Sequence, residues 1–304
     1  MSADWDVLLM AYGTPRTLEE VEPYYTHIRR GRPPSPEQLQ DLVRRYEAIG
    51  GVSPLNEITL QQARAVEAKL RARGWTGRLY LGMKHWHPFI AEAVEQMARE
   101  GVERAVGVVL APHYSRYSIG GYIDYALKAR EQFAPQMELR FVERWGSHPL
   151  FIEAVARRIQ QALEGWNPEE TVVLFSAHSL PEKVRQWNDP YEQELLESAR
   201  LVAEKLELPH WTFAFQSASA TGEPWLGPDI LERLEEIAAA GEYKQVLCYA
   251  IGFVADHLEV LYDLDVEARQ KCQERGLQYR RAASLNDDPL MAEAVADVTW
   301  KRME

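Results

Sequence analysis

Short, unbroken apolar runs alternate along this chain with longer segments whose apolar positions recur every three or four residues. The runs in the first half are Asp6 to Ala11, Leu79 to Met83, Ala105 to Ala111 and Leu139 to Val142. In the second half they are Thr171 to Ala177, Thr212 to Gln216, Gln245 to Ile251 and a poorer one at Leu277 to Ala282. Runs that do not alternate apolar with polar suit strands buried on both faces of a parallel sheet. Helices are predicted over Leu18–Arg30, Pro36–Ala48, Thr59–Arg73, Pro88–Glu100, Tyr117–Phe133 and Pro149–Leu163. They continue over Pro190–Leu206, Pro228–Ala240, His257–Arg275 and Pro289–Arg302. Thr17 with Glu20 predicts a capping box for the first, and Ser35 a cap for the second, which Gly50-Gly51 ends. Strand–helix alternation places the chain in the α/β class. The two halves share a phrase, MAYGTP against FSAHSLP. Two similar Rossmann-like lobes are therefore expected, each a parallel sheet flanked by helices, with an active-site cleft between them. The boundaries fall at residues 1–145 and 146–288, and the helix at 289–304 is expected to pack back on the first lobe.

Composition narrows the function. The 304 residues carry a net charge of -12, and no basic stripe offers itself to nucleic acid. No apolar stretch approaches the ~20 residues of a membrane span. The start of the chain has no basic region followed by a signal-length apolar core. Cys248 and Cys272 form no C-x-x-C pair, which fits a reducing cytoplasm. Dinucleotide, P-loop and nucleophile-elbow fingerprints are absent from the sequence.

Two features carry candidate chemistry. His178 follows the buried run Val172–Phe175, and Pro181 stops that strand. This puts an imidazole at the sheet edge where α/β proteins bind ligands. It could bind a metal or accept a proton near neutral pH, or simply hydrogen-bond a loop. Glu259, Asp263 and Glu267 are spaced i, i+4, i+8 among apolar neighbours such as Phe253, Leu258 and Leu261. The spacing makes one acidic stripe on a helix, either solvated or turned inward. A histidine and a carboxylate facing each other suit a divalent metal such as Fe²⁺. His85 and His87 form a weak H-x-H signal, and the turn-rich loop Phe215–Pro228 is of a length that is usually functional.

At these segments the chain resembles the ferrochelatases, enzymes that insert ferrous iron into a porphyrin. The likeness spans nearly the whole chain: MAYGTP, YYTHIRRGRPPSPE, RYEAIGGVSPL, LAPHYS, FSAHSLP, DPY, the PWLGPD loop and GFVADHLEVLYD. It is most similar to the Gram-positive branch, whose substrate is taken to be coproporphyrin III. The resemblance implies a lyase of haem biosynthesis that forms coproheme. It implies His178 and Glu259 as the metal-handling and proton-abstracting pair, a neutral imidazole taking the pyrrole protons. Asp263 and Glu267 continue the metal row. Tyr12 is implied to stand over the macrocycle, where it can ligate the product iron axially, and Arg29, Arg45, Tyr46, Ser53 and Tyr122 to line the porphyrin and meet its propionates. Phe215 departs from the tryptophan of many relatives, and the loop after Ser217 is rich in Ala and Ser.

The resemblance further implies that Fe²⁺ is substrate and that no cofactor is tightly bound. A second divalent cation such as Mg²⁺ could sit on the acidic row, and neither an iron–sulfur cluster nor the C-terminal extension of animal relatives is expected. A cytoplasmic monomer is implied, without membrane insertion, making transient contacts with neighbouring haem-pathway enzymes. A cobalt or iron chelatase for a corrin or sirohaem precursor, and a non-enzymatic porphyrin carrier, are the competing readings.

Overall fold

The computed structural model describes residues 5–219 and 222–304; two residues of the long loop predicted as functional, Ala220 and Thr221, lie outside them. Among the described residues, eight strands form two parallel four-stranded sheets. In the first, β1 (Asp6–Ala11), β2 (Leu79–Met83), β3 (Arg104–Val109) and β4 (Glu138–Val142) lie in the order β2-β1-β3-β4. In the second, β5 (Thr171–His178), β6 (Trp211–Gln216), β7 (Gln245–Tyr249) and β8 (Gln278–Arg281) repeat that plan as β6-β5-β7-β8. Every residue of β1 and β7 is buried, as helices on both faces demand.

The first half contributes α1 (Val21–Ile28), α2 (Pro36–Ala48), α3 (Leu55–Ala72), α4 (Ile90–Arg99) and α5 (Ile119–Phe133). The second contributes α6 (Pro149–Leu163), α7 (Tyr191–Lys205), α8 (Ile230–Ala240), α9 (Leu258–Val260), α10 (Arg269–Glu274) and α11 (Pro289–Met303). By contacts the chain divides into two compact units. One holds the residues up to Tyr114 with Ser118–Trp145 and Asn286–Glu304; the other holds Ser115–Tyr117 with Gly146–Leu285. In the first unit α11 packs on α3, where Arg73 meets Glu293 at 2.5 Å and Asp297 at 3.0 Å. Leu8, Met10, Val94, Met97 and Ile119 lie in its core; Leu174, Leu234, Val246 and Leu264 lie in that of the second.

Local start signals explain most helix boundaries. Ser35 and Gln38 form a reciprocal capping box at α2, Asp229 and Glu232 another at α8, and Asp288 caps α11 ahead of Pro289. The box predicted for Thr17 and Glu20 does not form. The chain there opens as a 3₁₀ turn, Leu18–Glu20, and Glu20 instead accepts the Arg16 N–H at 2.6 Å. Helix α3 begins one turn before Thr59, because Pro54 takes the cap position and the Ser53 hydroxyl accepts the Leu55 N–H at 3.3 Å.

His113, which follows β3, is 3% exposed, and burial pushes its pKa down to about 3. The unfolded chain binds that proton near 6.5, whereas the folded chain refuses it until far lower pH. Its contribution to stability is therefore intact above 6.5 and lost as pH falls, by up to about 1.4 kcal/mol per pH unit. Urea unfolding between pH 7 and 4 should show this slope, and His113→Gln should flatten it by about one proton. An unchanged slope would mean that His113 does not couple folding to acid.

Candidate active site

In the second unit the strand order reverses between β5 and β7, and open α/β sheets bind ligands at such a switch point. His178 is the last residue of β5, one place inside the strand compared with the sequence reading, and pairs in register with Gln216 of β6. The segment leaving β7 lies directly against β5. Its Gly252 N–H donates to the Ser176 carbonyl at 3.2 Å, and a Cβ on Gly252 would stand 2.5 Å from that of Ala177. A glycine is required by that close approach. The segment then delivers His257 and, on α9, Glu259.

The outcome is an imidazole against a carboxylate. His178 Nε2 lies 3.5 Å from Glu259 Oε2, and His257 Nε2 lies 3.8 Å from the same oxygen. His178 Nδ1–H donates to the Ser179 carbonyl, which leaves Nε2 to face the acid. The Tyr191 hydroxyl donates to the His178 carbonyl at 3.0 Å, and the Trp225 ring lies 6.4 Å from the imidazole. Neither His257, Tyr191 nor Trp225 was singled out from the sequence, although His257 stands two places from Glu259.

Burial alone would lower the His178 pKa, but the Glu259 charge and hydrogen bond raise it to about 9, helped by the Ser179 carbonyl and Asp263. Glu259 moves the opposite way: despite burial, His178 and His257 hold it well below the usual carboxylate range. Both shifts favour an ion pair of imidazolium and carboxylate over a neutral imidazole.

Behind Glu259 the helix is not a regular α-helix as predicted. Residues Leu261–Ala268, with Asp263 and Glu267, are π-helical. In an α-helix a four-residue step overshoots one turn by about 40°; the wider π turn keeps such a step closer to one file. Asp263 is 4% exposed and accepts from the Ser217 hydroxyl and, at 3.2 Å, from Gln216 Nε2. The Gln216 amide is itself oriented by Ser176, whose hydroxyl donates to its Oε1 at 2.8 Å. Burial raises the Asp263 pKa to about 6; the Ser217 and Gln216 bonds lower it, while the charges of Glu259 and Glu267 raise it further. Among the described residues no three His, Cys, Asp or Glu side chains are arranged to hold a metal ion. His178 and Glu259 offer one nitrogen and one oxygen, a donor set suited to Fe²⁺ with its other positions open.

The first unit gathers a different group at the equivalent strand end. Tyr12 follows β1, is 39% exposed and rests on His85, with ring centroids 4.6 Å apart. Gly13, at φ +82°, turns the chain where a Cβ would meet Met83 at 2.9 Å. His85 and His87 do not share a site: His87 turns to Glu92 at 2.9 Å, whereas His85 Nδ1 lies 3.3 Å from His27 Nδ1. Burial, aided by the charges of Lys84 and His27, lowers the His85 pKa to about 3. Lys84 lies over the Tyr122 ring at 4.8 Å, and burial with the Arg30 charge brings its pKa down to about 8, against Asp124. Lys84 and His27 escaped the sequence reading; the place of Lys84 just after β2 was the available signal.

The other expected porphyrin-lining residues are placed as follows. Tyr46 is buried and bonded to the Thr14 hydroxyl at 3.0 Å, so it braces the turn after β1. Ser53 is buried at the start of α3, and Tyr122 is buried in the first core beneath Lys84. Arg29 donates to the Arg32 carbonyl at 3.3 Å, and half-exposed Arg45 pairs with Asp41 at 3.3 Å.

The family model for ferrochelatase matches residues 6–303. A ferrochelatase of Herpetosiphon aurantiacus is 47% identical over 98% of this chain and 99% of its own length. A coproporphyrin III ferrochelatase of Oceanobacillus iheyensis is 44% identical, covering 97% of this chain and 96% of its own. Among solved structures, the cobalt-bound sirohydrochlorin chelatase SirB of Bacillus subtilis subspecies spizizenii superposes with a TM-score of 0.62. It covers 98% of this chain and 95% of its own, but at 11% identity it speaks to the fold alone. With a family model matching almost end to end and relatives this similar over their full length, the chain belongs to the ferrochelatase family.

Proposed function

We propose that this protein inserts ferrous iron into coproporphyrin III, giving coproheme in haem biosynthesis, and that His178 and Glu259 handle the metal and the departing protons. The observation that carries the site assignment is the 3.5 Å contact between His178 Nε2 and Glu259 Oε2 at the strand ends of the second sheet. The substrate follows from full-length relatives named coproporphyrin III ferrochelatases, at 42–44% identity.

A flat porphyrin carries two pyrrole N–H groups, so insertion needs the ring bent and two protons removed. Fe²⁺ reaching Glu259 neutralises the charge that holds the imidazolium. Burial then favours neutral His178: its Nε2 proton passes to solvent, and the freed Nε2 accepts the first pyrrole proton, hands it on to solvent and accepts the second. Asp263 and Glu267 extend the carboxylate file from Glu259, a path along which a divalent cation or protons can pass. Their hard oxygens also suit a second cation such as Mg²⁺. Tyr12 offers a phenol oxygen to the macrocycle, while Arg29 and Arg45 supply guanidinium forks for propionates once Arg45 leaves Asp41. In the first unit, buried Tyr46, Ser53 and Tyr122 act by holding the walls. Among the described residues no helix is long and apolar enough to cross a membrane. A cytoplasmic monomer that holds no permanent cofactor and meets other haem-pathway enzymes transiently completes the proposal.

Anaerobic turnover of coproporphyrin III with Fe²⁺ should greatly exceed that of protoporphyrin IX. A Soret shift that stops at one equivalent would instead identify a carrier. His178→Ala should keep porphyrin binding yet slow insertion by roughly 10²–10⁴-fold, and Glu259→Gln should cost far more than Glu267→Gln. Equal losses in the two glutamate variants would reduce the row to a diffuse attractor.

The ion pair can be read without turnover. In a ¹⁵N-imidazole NMR titration, His178 should titrate well above 6.5, near 9, in the wild type. Replacing Glu259 by Gln should bring it down, because burial then acts with less opposition. A titration indifferent to Glu259 would dissolve the pair.

A further inference from the structure

A π-helix of eight residues is a costly device. Bonding i to i+5 leaves carbonyls at its margins without their usual helical partner, and such turns are rare unless something outside the helix supports them. Here the support comes from β8. Tyr279 and Arg281 are two residues apart and so share one face of that strand. The Tyr279 hydroxyl donates to the Leu264 carbonyl, in the middle of the π segment, at 2.7 Å. Arg281, with its side chain 12% exposed, reaches two aspartates at once. Its Nε lies 3.0 Å from both Asp265 carboxylate oxygens, its second terminal nitrogen 2.8 Å from Asp265, and its first 2.9 Å from Asp256 Oδ1.

Those two aspartates bracket the acidic file. Asp256 lies on the segment that leads into α9, three residues before Glu259, and Asp265 stands between Asp263 and Glu267 but on another side of the helix. One guanidinium therefore ties the entry of the helix to its widened middle. It also places a positive charge beside a stretch, 256–267, that carries five carboxylates. Arg269 meets Asp265 too, at 3.3 Å, but from within the same helix, so it adds charge without fixing the helix to the sheet. A lysine at 281 could supply the charge but not the fork that grips both acids.

We propose that Arg281, assisted by Tyr279, is a positioning residue for metal delivery: it holds the π turn in shape so that Asp263 and Glu267 line up behind Glu259. The inference rests on the reading of that file as the cation's path. Both residues act through the helix.

The test is steady-state insertion by the full chain, varying Fe²⁺ at saturating porphyrin and the reverse, with melting temperature recorded for each variant. Arg281→Gln should raise KM for Fe²⁺ by roughly tenfold or more, the usual cost of losing an outer partner of a metal-binding group. KM for the porphyrin should stay within about twofold, and Arg281→Lys should recover only part of the loss. In an Asp263→Asn/Glu267→Gln background, Arg281→Gln should add nothing, because its route of action is already gone. Parallel rises in both KM values, or a full Arg281 effect persisting in that background, would overturn the proposal and leave Arg281 a general support of the fold. A raised Fe²⁺ KM in the file variant beside a silent Arg281→Gln overturns this proposal alone, whereas a silent file variant removes the cation path and this proposal with it. If Arg281→Gln does not fold, Tyr279→Phe deletes one hydroxyl and decides the matter: a raised Fe²⁺ KM supports the proposal and an unchanged one rejects it.

Discussion

An imidazolium held 3.5 Å from a carboxylate, with both partly withdrawn from water, is the interaction on which the second unit is arranged. Such a pair is a poor source of stability, because stripping water from two charges offsets most of their attraction. Its neighbours are accordingly arranged for position. Tyr191 holds the His178 carbonyl, Ser179 anchors the following turn through the Leu226 carbonyl at 2.7 Å, and Gly252 lets the opposing segment lie close. Against the pull of burial, His178 and His257 favour the charged form of Glu259.

The acids behind Glu259 differ from one another in a useful way. The two histidines hold Glu259 well below the usual carboxylate range, while burial and the charges of two glutamates raise Asp263 to about 6. A file of equal carboxylates would repel itself and trap a divalent cation at its strongest point. Under the proposed function, a difference in proton affinity between neighbouring acids would let charge be traded along the row. Ser217 and Gln216 matter because their donated hydrogen bonds keep Asp263 from becoming a permanently neutral acid.

The two sheets could be read from the sequence because strands buried on both faces must be continuous apolar runs, and little else in a chain without a membrane span looks like Val172–Phe175 or Ala105–Val109. Helix starts were legible where a cap is local, as at Ser35, and failed at Thr17, where a 3₁₀ turn moves Glu20 out of capping position. The pairing of His178 with Glu259 was approachable because each stands beside a strand end. The π segment was not: its wide turn depends on Tyr279 and Arg281, which reach it from β8 and leave no periodic mark between residues 261 and 268. Lys84 and His27 were missed for a similar reason, since their altered proton affinities come from burial and from each other's neighbours.

The same strand-end position is used twice with opposite electrostatics. After β1 the first unit places Tyr12 against a histidine kept neutral by burial, with a weakened lysine over a tyrosine ring. After β5 the second places a histidine kept charged by an acid. Under the proposed function a planar, largely apolar macrocycle suits the aromatic group of the first unit, because every unpaired charge against its face would have to shed water for nothing in return. A hydrated cation and two departing protons require the reverse, fixed charges that replace water as it leaves. One α/β plan can serve both needs because the strand order sets where a side chain emerges, while its neighbours set whether that side chain is charged.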